Sequence, residues 1–272
     1  MKYIWNLNPV AISFPKYYTE GNIEIRWYGI MYVVGFLLAG FLLKRLAKEG
    51  LFKIAVDKID NYVTYLLIGM FLGARLAYVF IYNWDYYSNH LGELFYLWEG
   101  GLSFHGAIIG LILSAYVYCK RNGHDTLLAL DSSVIAGTPG LFFGRIGNFI
   151  NGELFGRETS GEWGVIFPNG GPYPRHPSQL YEGLLEGIVL FLLLWFIRKR
   201  VKHVGVIGSC FLIGYGTFRY VIEFFREPDV QLGYFFGGTT SMGQILCLLM
   251  ILSGITLMII QIKRDKLIAR AR

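Results

Sequence analysis

Seven stretches of the chain are apolar over a length that suits a membrane crossing, at about 27–46, 61–82, 102–119, 127–150, 178–197, 204–224 and 242–262. A helix needs about 20 mostly apolar residues to cross the hydrocarbon core, and helices satisfy their own backbone groups where there is no water to do so. The pattern therefore predicts an all-α polytopic membrane protein with seven transmembrane helices, forming one membrane-embedded domain over residues 1–272. The fourth stretch contains Pro139, Gly140, Gly144 and Gly147 and is expected to be kinked or interrupted. Residues 1–24 mix Pro, Asn, Lys and Tyr with short apolar patches and lack the continuous apolar run of a signal peptide. The first span is expected to act as the insertion signal.

Charge orients this arrangement. If Lys and Arg are assigned to alternate sides, sixteen of the 25 fall on one side, in 44–58, 120–121, 198–202 and after 262. Six fall on the other (Lys2, Lys16, Arg26, Arg157, Arg175 and Arg226), and Arg75, Arg145 and Arg219 lie within spans. The positive-inside rule then predicts the N-terminus outside and the C-terminus cytoplasmic. The two longest connections, 83–101 and 151–177, are both outside on this reading and form a small outer-face cap. Trp84, Tyr86, Tyr87, Trp98 and Trp163 in these connections suit an interfacial aromatic belt.

Composition supports the same class, with 54% hydrophobic and only 16% charged residues, against about a quarter charged in soluble domains. The net charge of +6 does not imply nucleic acid, because the basic residues sit in short clusters between apolar runs. Cys119, Cys210 and Cys247 lie inside apolar segments without metal-ligand spacing, so neither a disulfide framework nor a metal site is expected.

Against this apolar background, 144–156 gathers an arginine, two asparagines, a glutamate and four glycines at the end of a predicted span. Ionisable groups at membrane depth are costly and point to function. With alternating span directions, Tyr28, His105, Arg145, Asn148, Glu182, Tyr215, Arg219 and Glu223 all fall in the outer leaflet, as does Arg75. Tyr215, Arg219, Glu223 and Arg226 follow helical spacing and are expected to share one face, as are Arg145 and Asn148. Two arginines on different helices suit bidentate binding of a phosphate, and in a membrane the obvious phosphate belongs to a phospholipid headgroup. The competing reading pairs Arg219 with Glu223, and Arg145 with Glu153 or Glu182, as scaffold. His105 lies beside Gly106 at the outer start of a span and level with the arginines, which makes it a candidate base. His90, His124 and His203 read as solvated residues. An anion transporter is the alternative class, but its path needs polar groups through both leaflets. Here the inner halves hold little beyond Asp131, with Glu186 near the middle of the fifth span.

The run Gly144-Arg-Ile-Gly-Asn-Phe-Ile-Asn-Gly-Glu-Leu-Phe-Gly156 resembles the signature of the prolipoprotein diacylglyceryl transferases, Gly-Arg-x-Gly-Asn-Phe-x-Asn-x-Glu-x-x-Gly, at all eight fixed positions. Trp27-Tyr28-Gly29, Phe104-His105-Gly106, Arg175 to Glu182, Gly214 to Arg219 and Glu223 to Asp229 are similar to further family blocks in the same order. Ala107 departs from many members, which have a second glycine there, and the outer segment after Gly156 is shorter than in some. The resemblance implies transfer of a diacylglyceryl group from phosphatidylglycerol to the lipobox cysteine thiol of a prolipoprotein. Glycerol phosphate would be released at the outer face of the bacterial cytoplasmic membrane, with no cofactor or metal. It implies His105, Arg145 and Arg219 as catalytic residues. Tyr28, Asn148, Asn151, Glu153, Gly156, Glu182, Tyr215, Glu223 and Arg226 join both arginines as candidate substrate-binding residues.

Overall fold

The computed structural model describes residues 3–15, 22–96, 100–227, 234–235 and 240–271. Lys2, Lys16, Trp98 and Asp229, named above, lie outside them. Each predicted stretch is helical within a few residues of its expected ends, except that the last runs on. Helix α1 spans Trp27–Lys48, and α2 spans Ile59–Ala77 and continues into a π-helical turn at Tyr78–Tyr82. After the short α3 (Trp84–Tyr87) come α4 (Phe104–Asn122) and α5 (Thr126–Asn151). Helix α6 (Ser178–Glu182) passes through a π-helical segment, Gly183–Val189, into α7 (Leu190–Ile197), followed by α8 (Val206–Ile222) and α9 (Met242–Ala271).

Five of these helical stretches are long and apolar enough to cross a bilayer: Trp27–Lys48, Val56–Tyr82, Thr126–Asn151, Ser178–Ile197 and Met242–Leu267. Helix α8 is apolar but shorter. Their surfaces expose bulky apolar side chains such as Leu37 (70%), Phe41 (66%), Ile81 (73%) and Phe196 (66%), as lipid contact allows. The chain is a mostly helical, multi-pass membrane protein.

Helix α5 is not interrupted at Pro139 and runs on through it, although the proline removes one backbone donor within the helix. The irregular turns are instead the two π-helical segments. Short strand pairs accompany the helices. Strand β1 (Tyr3–Ile4) pairs in parallel with β4 (Val165–Ile166), β2 (Val10–Pro15) pairs antiparallel with β3 (Asn22–Arg26), and β5 (Tyr234–Phe235) pairs with β6 (Thr240–Ser241).

The chain divides into two compact units. In Leu42–Ser132, α2 and α4 pack backbone to backbone along Gly69, Gly73, Gly106 and Gly110. A Cβ on Gly73 or Gly110 would collide with the facing helix's backbone, at Gly106 and Gly69 respectively. Such small-residue seams let membrane helices gain close packing where no hydrophobic drive exists. Arg75 is buried and wholly engaged here. It donates to the carbonyls of Glu93, Leu94, Gly100 and Gly101 at 2.7–3.3 Å, and lies 5.1 Å from the centre of the Tyr87 ring. It is a loop clamp and not part of a ligand pocket, because its donors are taken by backbone.

The second unit comprises Met1–Phe41 and Ser133–Arg272. Phe142 of α5 lies against Gly183 and Gly187 of the π segment, where a side chain would clash, so the two elements come close together. The segment after α5 folds back over their ends. The amide of Gly156 donates to His176, that of His176 to Arg157, and that of Arg157 to Phe225, at 2.8–2.9 Å. Gly156 is required at this three-way junction, since a Cβ would strike the Phe225 carbonyl and His176.

Candidate functional site

Helix α5 presents Arg145, Asn148 and Asn151 at three-residue steps and so along one face. It ends in a Schellman motif. Gly152 takes the left-handed conformation (φ 66°), its amide donates to Phe149, and the Glu153 amide donates to Asn148. Leu154, at φ 57°, continues the turn in a region that a leucine rarely occupies. The turn brings the Glu153 carboxylate back over the helix end, where Oε1 accepts from Nδ2 of both Asn148 (2.9 Å) and Asn151 (3.0 Å). Two residues outside the predicted set hold the loop from below. Gln179 Nε2 donates to the Glu153 carbonyl at 2.6 Å, and Ser178 Oγ donates to the Leu154 carbonyl at 3.2 Å. Both are fully buried, and their signal was their place in the Arg175–Glu182 block.

The charged residues converge on one carboxylate. Glu182 Oε2 lies 2.8 Å from Arg145 Nη2 and 3.0 Å from Arg219 Nη1, so these two guanidinium nitrogens are no more than about 5.8 Å apart. Arg219 also pairs with Glu223 one turn along α8, at 3.3 Å. The other Glu223 oxygen accepts from Ser241 Oγ at 3.0 Å, and Gly243 lies so close that a Cβ there would press on the carboxylate. Glu186, absent from the predicted set, lies 3.8 Å from each arginine. Its signal was four-residue spacing from Glu182. Glu182 and Glu186 are 1% and 0% exposed, whereas the Arg145 side chain keeps 24% of its surface. The contacts to Glu182 and Glu186 are ion pairs by distance without the alignment of hydrogen bonds. Tyr215 places its phenol in electrostatic reach of Glu186 and both arginines.

Tyr28 packs its ring on Gly147, shares a 3.1 Å hydroxyl contact with Tyr32 and is coupled electrostatically to Glu153 and Arg145. The face expected to run from Tyr215 to Arg226 is broken. Helix α8 stops at Ile222, and Arg226 instead bridges to Gly156 by backbone and accepts from Arg157 Nε at 2.8 Å. Arg226 and Gly156 are thus tied to each other through backbone. His105 belongs to the other unit, exposed in the first turn of α4. In the segment after α5, His176 is ringed by Tyr181, Phe225 and Trp163, and its burial pushes its pKa below the ordinary histidine value. Among the described residues, no group of three or more His, Cys, Asp or Glu is arranged to hold a metal ion.

Fold and site together define a polytopic helical membrane protein that keeps a dehydrated guanidinium–carboxylate cluster beneath a folded-back polar loop. The family model described as prolipoprotein diacylglyceryl transferase matches residues 15–260, and the chain belongs to that family. It is 48% identical to a phosphatidylglycerol–prolipoprotein diacylglyceryl transferase of Desulfotalea psychrophila over 96% of this chain and 95% of that protein. For the proteins of the same name from Geobacter sulfurreducens and Oleidesulfovibrio alaskensis the identities are 45% and 44%, over 92% and 93% of this chain and 96% and 94% of theirs. None of these names is a transporter's, and the transporter alternative has no support.

Proposed function

We propose that the chain transfers the diacylglyceryl group of phosphatidylglycerol to the cysteine thiol of a prolipoprotein lipobox, forming a thioether and releasing glycerol phosphate. The observation that carries this reading is the convergence of Arg145 and Arg219 on one buried oxygen, within the reach of a single phosphate. The substrate sulfur attacks the glycerol carbon that bears the phosphate, the S–C bond forms and the C–O bond breaks. Negative charge therefore moves from sulfur to phosphate oxygens. Guanidinium N–H groups held in a low-dielectric site stabilise that charge without reorganising, and each offers a planar fork for two oxygens.

Glu182 and Glu223 keep the guanidiniums aimed before the lipid arrives. Glu153 orders Asn148 and Asn151, whose amides, with Tyr28 and Tyr215, line the approach to headgroup oxygens. His105 takes the thiol proton, a role that rests on its sequence context, because a thiol with a pKa of about 8.5 is mostly protonated at neutral pH. Seven crossings, an outer N-terminus, an outer-leaflet site and residence in the bacterial cytoplasmic membrane complete the proposal. They rest on the apolar pattern and the Lys and Arg asymmetry.

The test is an assay of the purified protein with phosphatidylglycerol and a lipobox peptide. The expected result is a peptide mass gain of one diacylglyceryl group with stoichiometric glycerol phosphate. Mass gain without glycerol phosphate, or no gain in folded protein, overturns the proposal. Cysteine at Ser88 should be labelled from outside intact cells, and labelling only after the membrane is opened reverses the orientation.

A further inference from the structure

The arginine scaffold is complete without Glu186. Glu182 bridges both guanidiniums at 2.8 and 3.0 Å, and Arg219 has a second partner in Glu223, itself fixed by Ser241. Yet Glu186 is 0% exposed and faces the same two nitrogens, Arg145 Nη2 and Arg219 Nη1, at 3.8 Å. A buried carboxylate beyond hydrogen-bond distance of its cations gains less from them than an aligned pair does, while being just as fully dehydrated. It sits in the π-helical segment Gly183–Val189, a kind of helix distortion frequent at functional sites. Gly183 and Gly187 flank it and admit Phe142, bringing the helix that bears Arg145 close to it. Glu182, Glu186 and Glu223 set three formal negative charges against the two positive ones, so the cluster is not a simple cation trap.

We propose that Glu186 is a positioning residue that limits how tightly the paired arginines hold a phosphate, so that the more highly charged product leaves. This rests on the reading that Arg145 and Arg219 receive the phosphate. The reacting phosphodiester carries one negative charge. The departing phosphomonoester carries about −1.5 to −2 at neutral pH, by analogy with phosphorylated side chains. The N–H groups that stabilise the departing charge would also retain the product. A fixed negative charge beside them weakens both complexes in proportion to ligand charge, and therefore opposes product binding more than substrate binding.

Glu186→Gln keeps the shape and removes the charge. In the purified full-length protein, glycerol phosphate should inhibit at least about tenfold more strongly, and KM for phosphatidylglycerol should fall by a smaller factor. Steady-state kcat should fall by more than the single-turnover rate, with a burst of the first product. Glu186→Asp draws the same charge back by one methylene and should tighten glycerol phosphate by a smaller factor, which keeps the idea testable if the glutamine variant does not fold. Residues that only fill space weaken ligands when altered. Unchanged or weaker glycerol phosphate inhibition in folded Glu186 variants therefore overturns the inference. If inhibition is also unchanged in Arg145→Lys and Arg219→Lys, the phosphate reading itself fails.

Discussion

Glu182→Gln is the most direct probe of the cluster, because one oxygen of Glu182 contacts both guanidiniums, at 2.8 and 3.0 Å, in a site that leaves the side chain 1% exposed. The amide keeps the volume and loses the charge. Two cations then face each other no more than about 5.8 Å apart, which at an effective dielectric constant of about 20 is a repulsion of about 3 kcal/mol. Removing one partner of a buried ion pair costs about 3–5 kcal/mol in other proteins. Glu186 at 3.8 Å and Glu223 at 3.3 Å offset part of this, so a loss of about 2–3 kcal/mol is expected. Thermal unfolding in detergent should show it as a clear drop in midpoint. The transfer assay should fall by about 30- to 150-fold if the misaligned guanidiniums lose that much transition-state stabilisation. A third readout has the opposite sign. Glycerol phosphate should raise the variant's midpoint more than the wild type's, because the anion takes the place that the carboxylate left. A variant with wild-type midpoint and activity would show that Glu182 does not hold the two arginines together, and would refute the reasoning.

Arg145→Lys and Arg219→Lys keep the charge but lose the planar fork, and each should slow transfer at least about tenfold, or about 1.4 kcal/mol, in correctly inserted protein. Near-normal rates in both would leave only generic electrostatics. His105→Gln should lose most activity at pH 7 and regain part of it as pH rises towards the thiol pKa of about 8.5, while lipid binding survives; a deficit equal at every pH rejects it as the base. Burial holds His176 below its ordinary pKa. Its contribution to the segment after α5 is therefore fully present above about pH 6.5 and is lost as pH falls towards the depressed folded value. Amide protection at Gly156 and Arg157, taken relative to the intrinsic exchange rate at each pH, should fall on acidification, less so in His176→Gln, and an equal fall in both removes His176 as the cause. Gly110→Val should drive a side chain into the Gly69 backbone and destabilise the Leu42–Ser132 unit by about 1–3 kcal/mol. Gly137→Ala, with open space around it, should be tolerated, and equal thermal midpoints for the two would discount the α2–α4 seam.

What the sequence determined by itself was whatever has a large local signature. The helical stretches were legible because lipid forces each of them to satisfy its own backbone within one continuous apolar run, and α1, α5 and α6–α7 begin and end within a few residues of the apolar pattern. Arg145 and Arg219 stood out because an arginine within an apolar run is costly without a purpose. Four-residue spacing correctly joined Arg219 to Glu223. Tertiary structure decided what depends on partners distant in the chain. Nothing local distinguishes Arg75, whose donors are consumed by the carbonyls of Glu93, Leu94, Gly100 and Gly101, from Arg145, which shares a carboxylate with Arg219. Arg226 left the helical face because its backbone is claimed by Gly156, some seventy residues earlier in the chain. Strand β1 has only two residues and exists through its pairing with Val165–Ile166, so no periodicity could announce it. Glu186 acquired its place only when α5 and α8 brought both arginines against the π segment. Charges interact by distance in space, and chain spacing reports that distance only within a single helix.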